Sequence, residues 1–250
     1  MKRSRLLLLV LLVMLLAATS GAAFLSFRQG RAFYHELQAT KLDPLGLRGF
    51  RMPAHEGEVM LAFYGDSRAA QWPVPAWLQG RTLNLGIGGQ TTEQILGRFD
   101  PHVLPLKPRI VLLQAGMNDL KTIPIFPRRE PAIIATCKEN LRRIIGRCEE
   151  AGIHVIVTTI FPVGAVPLER RPFWSDRVDP AIEEVNGYLR MLASDKVSVF
   201  DSAKHLTGPD GRLVPEYGRD LLHLSAAGYE VLNAAFEKEM KEVIKAPTSH

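Results

Sequence analysis

The chain has few cysteines, and the two that it has lie too far apart to form a disulfide with each other. Of its 250 residues only Cys137 and Cys148 are cysteine, and both fall in one predicted helix. Their spacing of 11 residues corresponds to about 16 Å of helix, whereas a disulfide needs Cα atoms within about 7 Å. The spacing is also close to three whole turns, so we expect both thiols to face the core as small hydrophobic groups.

Metal-binding patterns are missing as well. The seven histidines are scattered and no H-E-x-x-H motif occurs, so we expect no metal ion and no cofactor. The chain is 46% hydrophobic, which is too apolar for a disordered protein, and its 20 glycines and 17 prolines are too few for a fibrous repeat. At 250 residues, one folded domain is the default expectation.

Acidic residues are absent from the first 30 positions, and this gap explains most of the positive charge. Four of the 31 basic residues lie there, so the other 220 residues carry 27 basic against 26 acidic side chains. Binding to nucleic acid needs a clustered basic surface. We therefore expect no nucleic-acid partner.

The N-terminus has a long apolar run instead. Residues 6–27 carry no charge and follow three basic residues, Lys2, Arg3 and Arg5. As a helix, these 22 residues would span about 33 Å, enough to cross a hydrocarbon core of about 30 Å. The preceding charges favour a cytoplasmic N-terminus. We predict that residues 1–30 form a signal-anchor transmembrane helix, which places the rest of the chain outside the cytoplasm, in the periplasm or the extracellular space.

A cleaved signal peptide is the alternative, and it would make the protein secreted. Its hydrophobic region would be Leu6–Leu16, with a small-x-small cleavage site at residues 20–22. The apolar residues continue past that site, which favours the anchor. No cysteine lies directly after the run, so a lipoprotein is disfavoured. We predict a juxtamembrane linker over residues 31–57, because two X-Pro pairs interrupt regular structure there.

From residue 58 onward, apolar runs alternate with amphipathic segments. The runs are continuous rather than alternating in polarity, which is typical of parallel strands covered on both faces. The pattern predicts a doubly wound α/β domain with about five strands, in which ligands bind beyond the carboxyl ends of the strands. The predicted strands are Val59–Tyr64, Thr82–Leu85, Arg109–Ala115, Ile153–Ile160 and Val197–Phe200. The predicted helices are Thr91–Phe99, Pro131–Ala151, Asp179–Ser194 and Ser225–Lys245.

Chemically useful side chains follow these strands. Ser67 comes after the first strand and offers a hydroxyl, while His223, near the chain end, could accept its proton. Asp220 could hold the imidazole in the right tautomer, and the Gly89 N–H and Asn118 amide could stabilise a developing oxyanion. Each residue alone is more often a helix cap or a turn former. Their conjunction at strand ends indicates nucleophilic catalysis.

Four short blocks carry this pattern, and together they resemble the SGNH, or GDSL, family of serine esterases and lipases. The blocks are G-D-S at 65–67, N-x-G-x-x-G at 84–89, G-x-N-D at 116–119 and D-x-x-H-L at 220–224. The resemblance runs from about Val59 to Tyr229. It implies a flavodoxin-like three-layer α/β/α sandwich, an SGNH hydrolase domain over residues 58–250, and a metal-free mechanism.

The resemblance also implies a role for each matching residue. Ser67 would be the nucleophile, His223 the general base and Asp220 its partner. The oxyanion hole would consist of the N–H groups of Ser67 and Gly89 and the amide of Asn118. Supporting residues would shape or brace the loops: Gly86, Gly88, Asp66 and Asp119. The expected reaction is hydrolysis of a carboxylic ester, such as a sugar acetate or a lipid, through an acyl-enzyme.

Two other functions fit the same residues. The protein could transfer the acyl group to a cell-envelope glycan or lipid, because exclusion of water decides between transfer and hydrolysis. It could also be a catalytically silent binding module. Two residues depart from the family pattern near the expected substrate, Arg68 and Gln90. The long segment 161–178 is a candidate substrate lid or membrane-facing flap.

Overall fold

The computed structural model describes residues 2–78 and 82–246, and the chain divides into two units. The first unit is residues 1–46 and the second is residues 47–250. Helix α1 (Lys2–Leu42) accounts for almost all of the first unit. The second unit contains the sheet and the remaining described helices.

Helix α1 is 41 residues long. Within the described residues it is the one helix long and apolar enough to cross a membrane, and none of its most apolar window is buried. It extends beyond the predicted boundary at residue 30, because residues 31–42 contain neither proline nor glycine. The predicted linker is therefore helical as far as Leu42, and no helix or strand occurs between Leu42 and Leu61.

The second unit is built on a parallel sheet. Its described strands are β1 (Leu61–Gly65), β2 (Thr82–Asn84), β3 (Ile110–Gln114), β4 (His154–Thr158) and β5 (Val197–Phe200). All neighbours pair in parallel, in the order β2-β1-β3-β4-β5. This is the strand order of the flavodoxin-like fold, so the predicted fold class and strand count are confirmed.

Helices cover both faces of this sheet. Side chains of successive strand residues point to opposite faces: Ala62 and Tyr64 of β1 belong to one hydrophobic cluster, and Leu61 and Phe63 to another. The first cluster includes α3 (Thr92–Gly97), α4 (Phe99–Val103), α6 (Glu130–Glu150) and α7 (Val178–Arg190). The second includes α8 (Ser202–Leu206) and α9 (Ala226–Lys245). The result is a three-layer sandwich.

The longer predicted helices match the observed ones to within a few residues. Cys137 and Cys148 are both buried and free in α6, on its core face, as their spacing predicts. Four short helices are missing from the sequence prediction: α4, α8 and the single turns α2 (Ser67–Ala70) and α5 (Met117–Leu120). A single turn shows no hydrophobic period, yet these two turns carry Ser67 and Asn118.

Candidate active site

Ser67, His223 and Asp220 form a hydrogen-bonded chain at the carboxyl end of β1. The Ser67 Oγ lies 3.0 Å from His223 Nε2. On the other side of the ring, His223 Nδ1 lies 2.9 Å from both carboxylate oxygens of Asp220. The structure thus brings together the three residues predicted as nucleophile, base and orienting acid, in the order that proton transfer from a serine requires.

A tight turn between β1 and α2 places the Ser67 hydroxyl next to His223. Gly65 ends β1 with φ +153°, and a Cβ there would lie 1.8 Å from the carbonyl oxygen of Gln114. Only glycine allows this approach to β3. Asp66 then caps α2, since its Oδ1 accepts the backbone N–H of Arg68 at 2.9 Å. The hydroxyl at the first residue of α2 is held above the strand ends.

His223 and Asp220 lie in the connection between α8 and α9, more than 15 residues after β5. One carboxylate oxygen of Asp220 also accepts the backbone N–H groups of Leu222 and His223, each at 2.9 Å. Burial alone would raise the pKa of Asp220, but these hydrogen bonds and the one from the imidazole outweigh it and lower the pKa to about 2. Asp220 is therefore ionised at neutral pH and holds the Nδ1 proton of His223.

The predicted oxyanion donors lie beside the serine. Ser67, Gly89, Asn118 and His223 all line one cavity of about 140 Å³. The Asn118 amide nitrogen donates to the Gln90 carbonyl oxygen at 2.9 Å, which orients it. Gly89 has φ +80° and open space where a Cβ would be. Its N–H can therefore approach a ligand without a side chain in the way.

Gly86 and Gly88 let the loop after β2 pack closely on α2. A Cβ at Gly86 would lie 2.2 Å from the backbone nitrogen of Ala70, so no other residue fits there. A Cβ at Gly88 would lie 3.7 Å from the Ser67 Cβ, an ordinary contact distance. These two glycines sit at the positions expected for residues that shape the oxyanion loop.

Asp119 and Asp66 are tied into the surrounding loops. Asp119 accepts two hydrogen bonds from Thr92, one from its hydroxyl at 2.6 Å and one from its backbone N–H at 2.9 Å. These bonds join α5 to α3. Burial raises the pKa of Asp119 to about 6, more than the Thr92 hydrogen bonds lower it. Burial likewise raises the pKa of Asp66, partly offset by the charge of Arg68.

Arg68 has a role that the sequence analysis missed. It is 1% exposed, and its guanidinium donates to the carbonyl oxygens of Leu222 at 2.9 Å and Phe161 at 3.1 Å. Its own carbonyl oxygen accepts the Tyr229 hydroxyl. Arg68, which directly follows Ser67, therefore links α2 to the loop that carries His223. The sequence marked this position as unusual but gave no signal that the side chain points inward.

Gln90 and Arg98 hold the oxyanion loop in a similar way. Arg98 donates to the Gln90 side-chain oxygen at 2.6 Å and to the Gly65 carbonyl oxygen at 2.9 Å. Its guanidinium carbon lies 4.3 Å from the centre of the Tyr64 ring. Both Gln90 and Arg98 are buried. Gln90 is thus a loop brace, and its expected nearness to the substrate stays a prediction.

The segment predicted as a lid or flap starts beside the base loop. The Gly164 N–H donates to the Leu221 carbonyl oxygen at 2.9 Å. Further along, Leu168 and Phe173 are 74% and 79% exposed. Movement of this segment over the site stays a prediction.

A larger cavity, of about 270 Å³, lies next to α6. Thr91, Asp119, Phe126 and Ile133 contribute to its lining, but none of the proton-transfer or oxyanion residues does. The chemistry therefore points to the smaller cavity. Among residues 2–78 and 82–246, no three His, Cys, Asp or Glu side chains are placed to hold a metal ion.

One known protein matches about half of the chain. A protein of Bacillus subtilis (strain 168) described as the uncharacterized lipoprotein YqeF is 33% identical over 142 residues. The match covers 52% of this chain and 57% of that protein, so it spans little more than half of the relative's length.

Solved structures share the fold. A Streptococcus pneumoniae protein provisionally described as a platelet activating factor superposes with a TM-score of 0.64 at 23% identity, over 89% of this chain and 99% of that one. The lipase/acylhydrolase of Enterococcus faecalis gives a TM-score of 0.53 at 27% identity, over 77% of this chain and 100% of that one.

The sequence profile of one family spans most of the second unit. Residues 62–231 match the GDSL-like lipase/acylhydrolase family, and that span contains all the residues predicted for the site. The chain therefore belongs to the family of GDSL-like lipases and acylhydrolases.

Proposed function

We propose that the protein is a serine esterase that cleaves a carboxylic ester through an acyl-enzyme on Ser67. Family membership supports an acylhydrolase. The observation that carries the finer proposal is the hydrogen-bonded chain from Ser67 through His223 to Asp220, which lines the same cavity as Gly89 and Asn118.

The first step is attack of the Ser67 Oγ on the ester carbonyl. His223 Nε2, 3.0 Å away, takes the hydroxyl proton as the C–O bond forms. The ring then carries a positive charge, which the ionised carboxylate of Asp220 stabilises at 2.9 Å. Because that carboxylate is fixed by two backbone N–H groups, the imidazole is oriented before the substrate arrives.

The carbonyl oxygen becomes an oxyanion in this step. We assign its donors to the N–H groups of Ser67 and Gly89 and to the Asn118 amide. One N–H of that amide is bound to the Gln90 carbonyl oxygen at 2.9 Å. The second is held only by a long contact of 3.4 Å to Asp66, which leaves it available to the oxyanion.

The remaining steps reuse the same groups. His223 returns the proton to the leaving alcohol, so the ester C–O bond breaks and an acyl-Ser67 ester remains. Water, deprotonated by His223, attacks this ester. Collapse of the second tetrahedral intermediate releases the acid and restores the Ser67 hydroxyl.

We infer that the catalytic domain, residues 58–250, is tethered outside the cytoplasm. The support is α1, with its charged start and uncharged apolar run, together with a relative that is named a lipoprotein. In this chain the apolar helix would provide the anchor. N-terminal sequencing of the membrane-bound protein distinguishes it from a signal peptide cleaved near residue 22.

The test is hydrolysis of 4-nitrophenyl esters of increasing chain length by the full chain in a neutral detergent, with Ser67→Ala as the control. We expect kcat to fall by about 10³-fold or more in the variant, and fluorophosphonate labelling to be lost. Equal turnover by a folded Ser67→Ala variant would refute the assignment. Labelling of Ser67 with no released acid, but with acyl transfer to an added alcohol, would identify a transferase.

A further inference from the structure

A lysine without a partner lines the catalytic cavity. Lys121 directly follows α5 and contributes to the same wall as Ser67, Asn118 and His223. Its side chain is partly buried, yet in the described part of the chain it makes no hydrogen bond and no ion pair. The partly desolvated ammonium is attracted by the Asp66 carboxylate but makes no direct ion pair with it, so this position is suited to a ligand that brings an anion into contact with the lysine.

Two basic side chains, Arg68 and Lys121, and one acidic side chain, Asp66, line the cavity. Asp66 attracts the ammonium and Arg68 repels it, while burial lowers the pKa of Lys121. Asp66 already accepts the backbone N–H of Arg68, and Asp220 is engaged by His223. Arg68 adds a second cation to the wall, and its Nη2 is buried without a hydrogen-bond partner.

The size of the cavity limits what can bind beside Lys121. Its volume is about 140 Å³, and a cavity of about 150 Å³ holds one benzene-sized group. Roughly six non-hydrogen atoms therefore fit. This is room for an acyl group of two to four carbons with a neighbouring polar group, while the rest of a larger ester would extend through the open side of the cavity.

We propose that Lys121 is a specificity-determining residue that binds an anionic group, a carboxylate or a phosphate, carried by a short-acyl ester close to the bond that is cleaved. This inference rests on the esterase activity proposed above. A charge-assisted hydrogen bond from an ammonium to such an anion is about twice as strong as a neutral one. The anion could belong to the alcohol or to the acyl group, and the experiment separates the two.

The experiment compares kcat/KM for matched anionic and neutral esters. On the alcohol side the pair is 4-acetoxybenzoate and its methyl ester. On the acyl side it is mono-4-nitrophenyl fumarate and methyl 4-nitrophenyl fumarate, whose trans geometry prevents the carboxylate from attacking its own ester. The full chain is assayed in a neutral detergent as wild type, Lys121→Met, Lys121→Glu and Lys121→Arg.

A matched control is Lys196→Met. Lys196 is exposed and precedes β5, so it lies at the amino end of a strand, across the sheet from the cavity. The variant removes the same charge without touching the site. Thermal unfolding of each variant shows whether it is folded.

We expect the wild type to prefer the anionic member of one pair. That preference should fall about tenfold in Lys121→Met, reverse in Lys121→Glu, persist in Lys121→Arg and remain unchanged in Lys196→Met. The pair that responds identifies whether the anion lies on the alcohol or the acyl group. If neither pair is cleaved but Ser67 is labelled, the preference for the anionic ester is measured as binding instead. The measurement is how well each ester protects Ser67 from the fluorophosphonate.

Two results would overturn the inference while leaving the esterase assignment intact. One is a wild-type enzyme that cleaves both members of each pair equally well. The other is a Lys121→Met variant that loses activity equally on both, which would mean that Lys121 only balances the charge of Asp66. Absence of both ester cleavage and Ser67 labelling would instead refute the proposed function.

Discussion

The two sides of the catalytic cavity are built differently. On the base side, the side chains of His223 and Asp220 are 25% and 45% exposed. On the oxyanion side, Asn118, Gln90 and Arg98 are 6%, 1% and 0% exposed. The buried side is a network of hydrogen bonds completed on folding, so its donors are oriented before any charge develops. The exposed side depends on a carboxylate whose pKa of about 2 keeps it ionised at neutral pH, so its charge is lost only in acid.

Asp66 and Arg68 connect the two sides. Asp66 accepts the Arg68 backbone N–H with one oxygen and lies 3.4 Å from the Asn118 amide with the other. The Arg68 side chain reaches the carbonyl oxygen of Leu222, next to the base. The two residues that flank Ser67 thus link the buried Asn118 to the loop of the partly exposed His223.

The largest expected loss of activity comes from a substitution on the exposed side. Asp220→Asn removes the charge that holds the imidazole Nδ1 proton and stabilises the protonated ring, so kcat for 4-nitrophenyl acetate should fall by about 10³–10⁴-fold. Labelling of Ser67 by a fluorophosphonate should slow similarly. Asp195→Asn, at an exposed position before β5, is the matched control. A loss below about tenfold would contradict the role of Asp220.

The same variant should change the stability of the fold in acid. The pKa of Asp220 in the fold is about 2, below its ordinary value of about 3.9. The ionised carboxylate therefore stabilises the fold above about pH 4, and this stabilisation is lost as the pH falls toward 2. Asp220→Asn should lack this pH-dependent stabilisation. Urea unfolding of the wild type, Asp220→Asn and Asp195→Asn between pH 5 and pH 2.5 measures the difference.

A smaller effect is expected on the buried side. Asn118→Ala removes one oxyanion donor, so kcat should fall by about 10²–10³-fold. Because His223 and Asp220 are untouched, the pH dependence of kcat/KM should keep its wild-type shape. Steady-state kinetics between pH 5 and 9 test both expectations. A changed profile, or a loss below about threefold, would show that Asn118 is not an independent donor.

The smallest expected effect is on stability alone. Burial raises the pKa of Asp119 to about 6, so between about pH 4 and pH 6 the folded chain binds a proton that the unfolded chain releases. The free energy of unfolding therefore falls as the pH rises through this window. Asp119→Asn should remove that fall, a difference of roughly 1–3 kcal/mol at about 1.36 kcal/mol per pKa unit.

Urea unfolding at pH 4, 5, 6 and 7 measures this difference. The free energy of unfolding of Asp119→Asn, relative to wild type, should rise with pH and level off above pH 6. For Asp195→Asn, with its exposed side chain, the difference in free energy of unfolding from wild type should be constant over the same pH range. A constant offset for Asp119→Asn as well would mean that the buried side is no more sensitive to ionisation than the surface.

Much of the fold could be predicted because its signals are local. Apolar runs and helix caps lie within a few residues of the elements that they specify, so all five strands and the longer helices are found close to their predicted positions. The ends of the elements were predicted less accurately. Helix α1 continues to Leu42 because no helix-ending residue occurs after residue 30 until Asp43-Pro44. The single turns α2 and α5 are too short to show a period.

The sequence by itself determined the alternation of strands and helices along the chain, the uncharged N-terminal run and the four blocks that contain the candidate site residues, because each is a pattern of neighbouring residues. Only the tertiary structure decided that Ser67 meets His223, 156 residues away, and that Arg68 and Arg98 turn inward. A buried guanidinium needs carbonyl acceptors, and those of Phe161, Leu222 and Gly65 converge only when distant segments pack together. The exposure of Lys121 to the cavity is decided at that same stage.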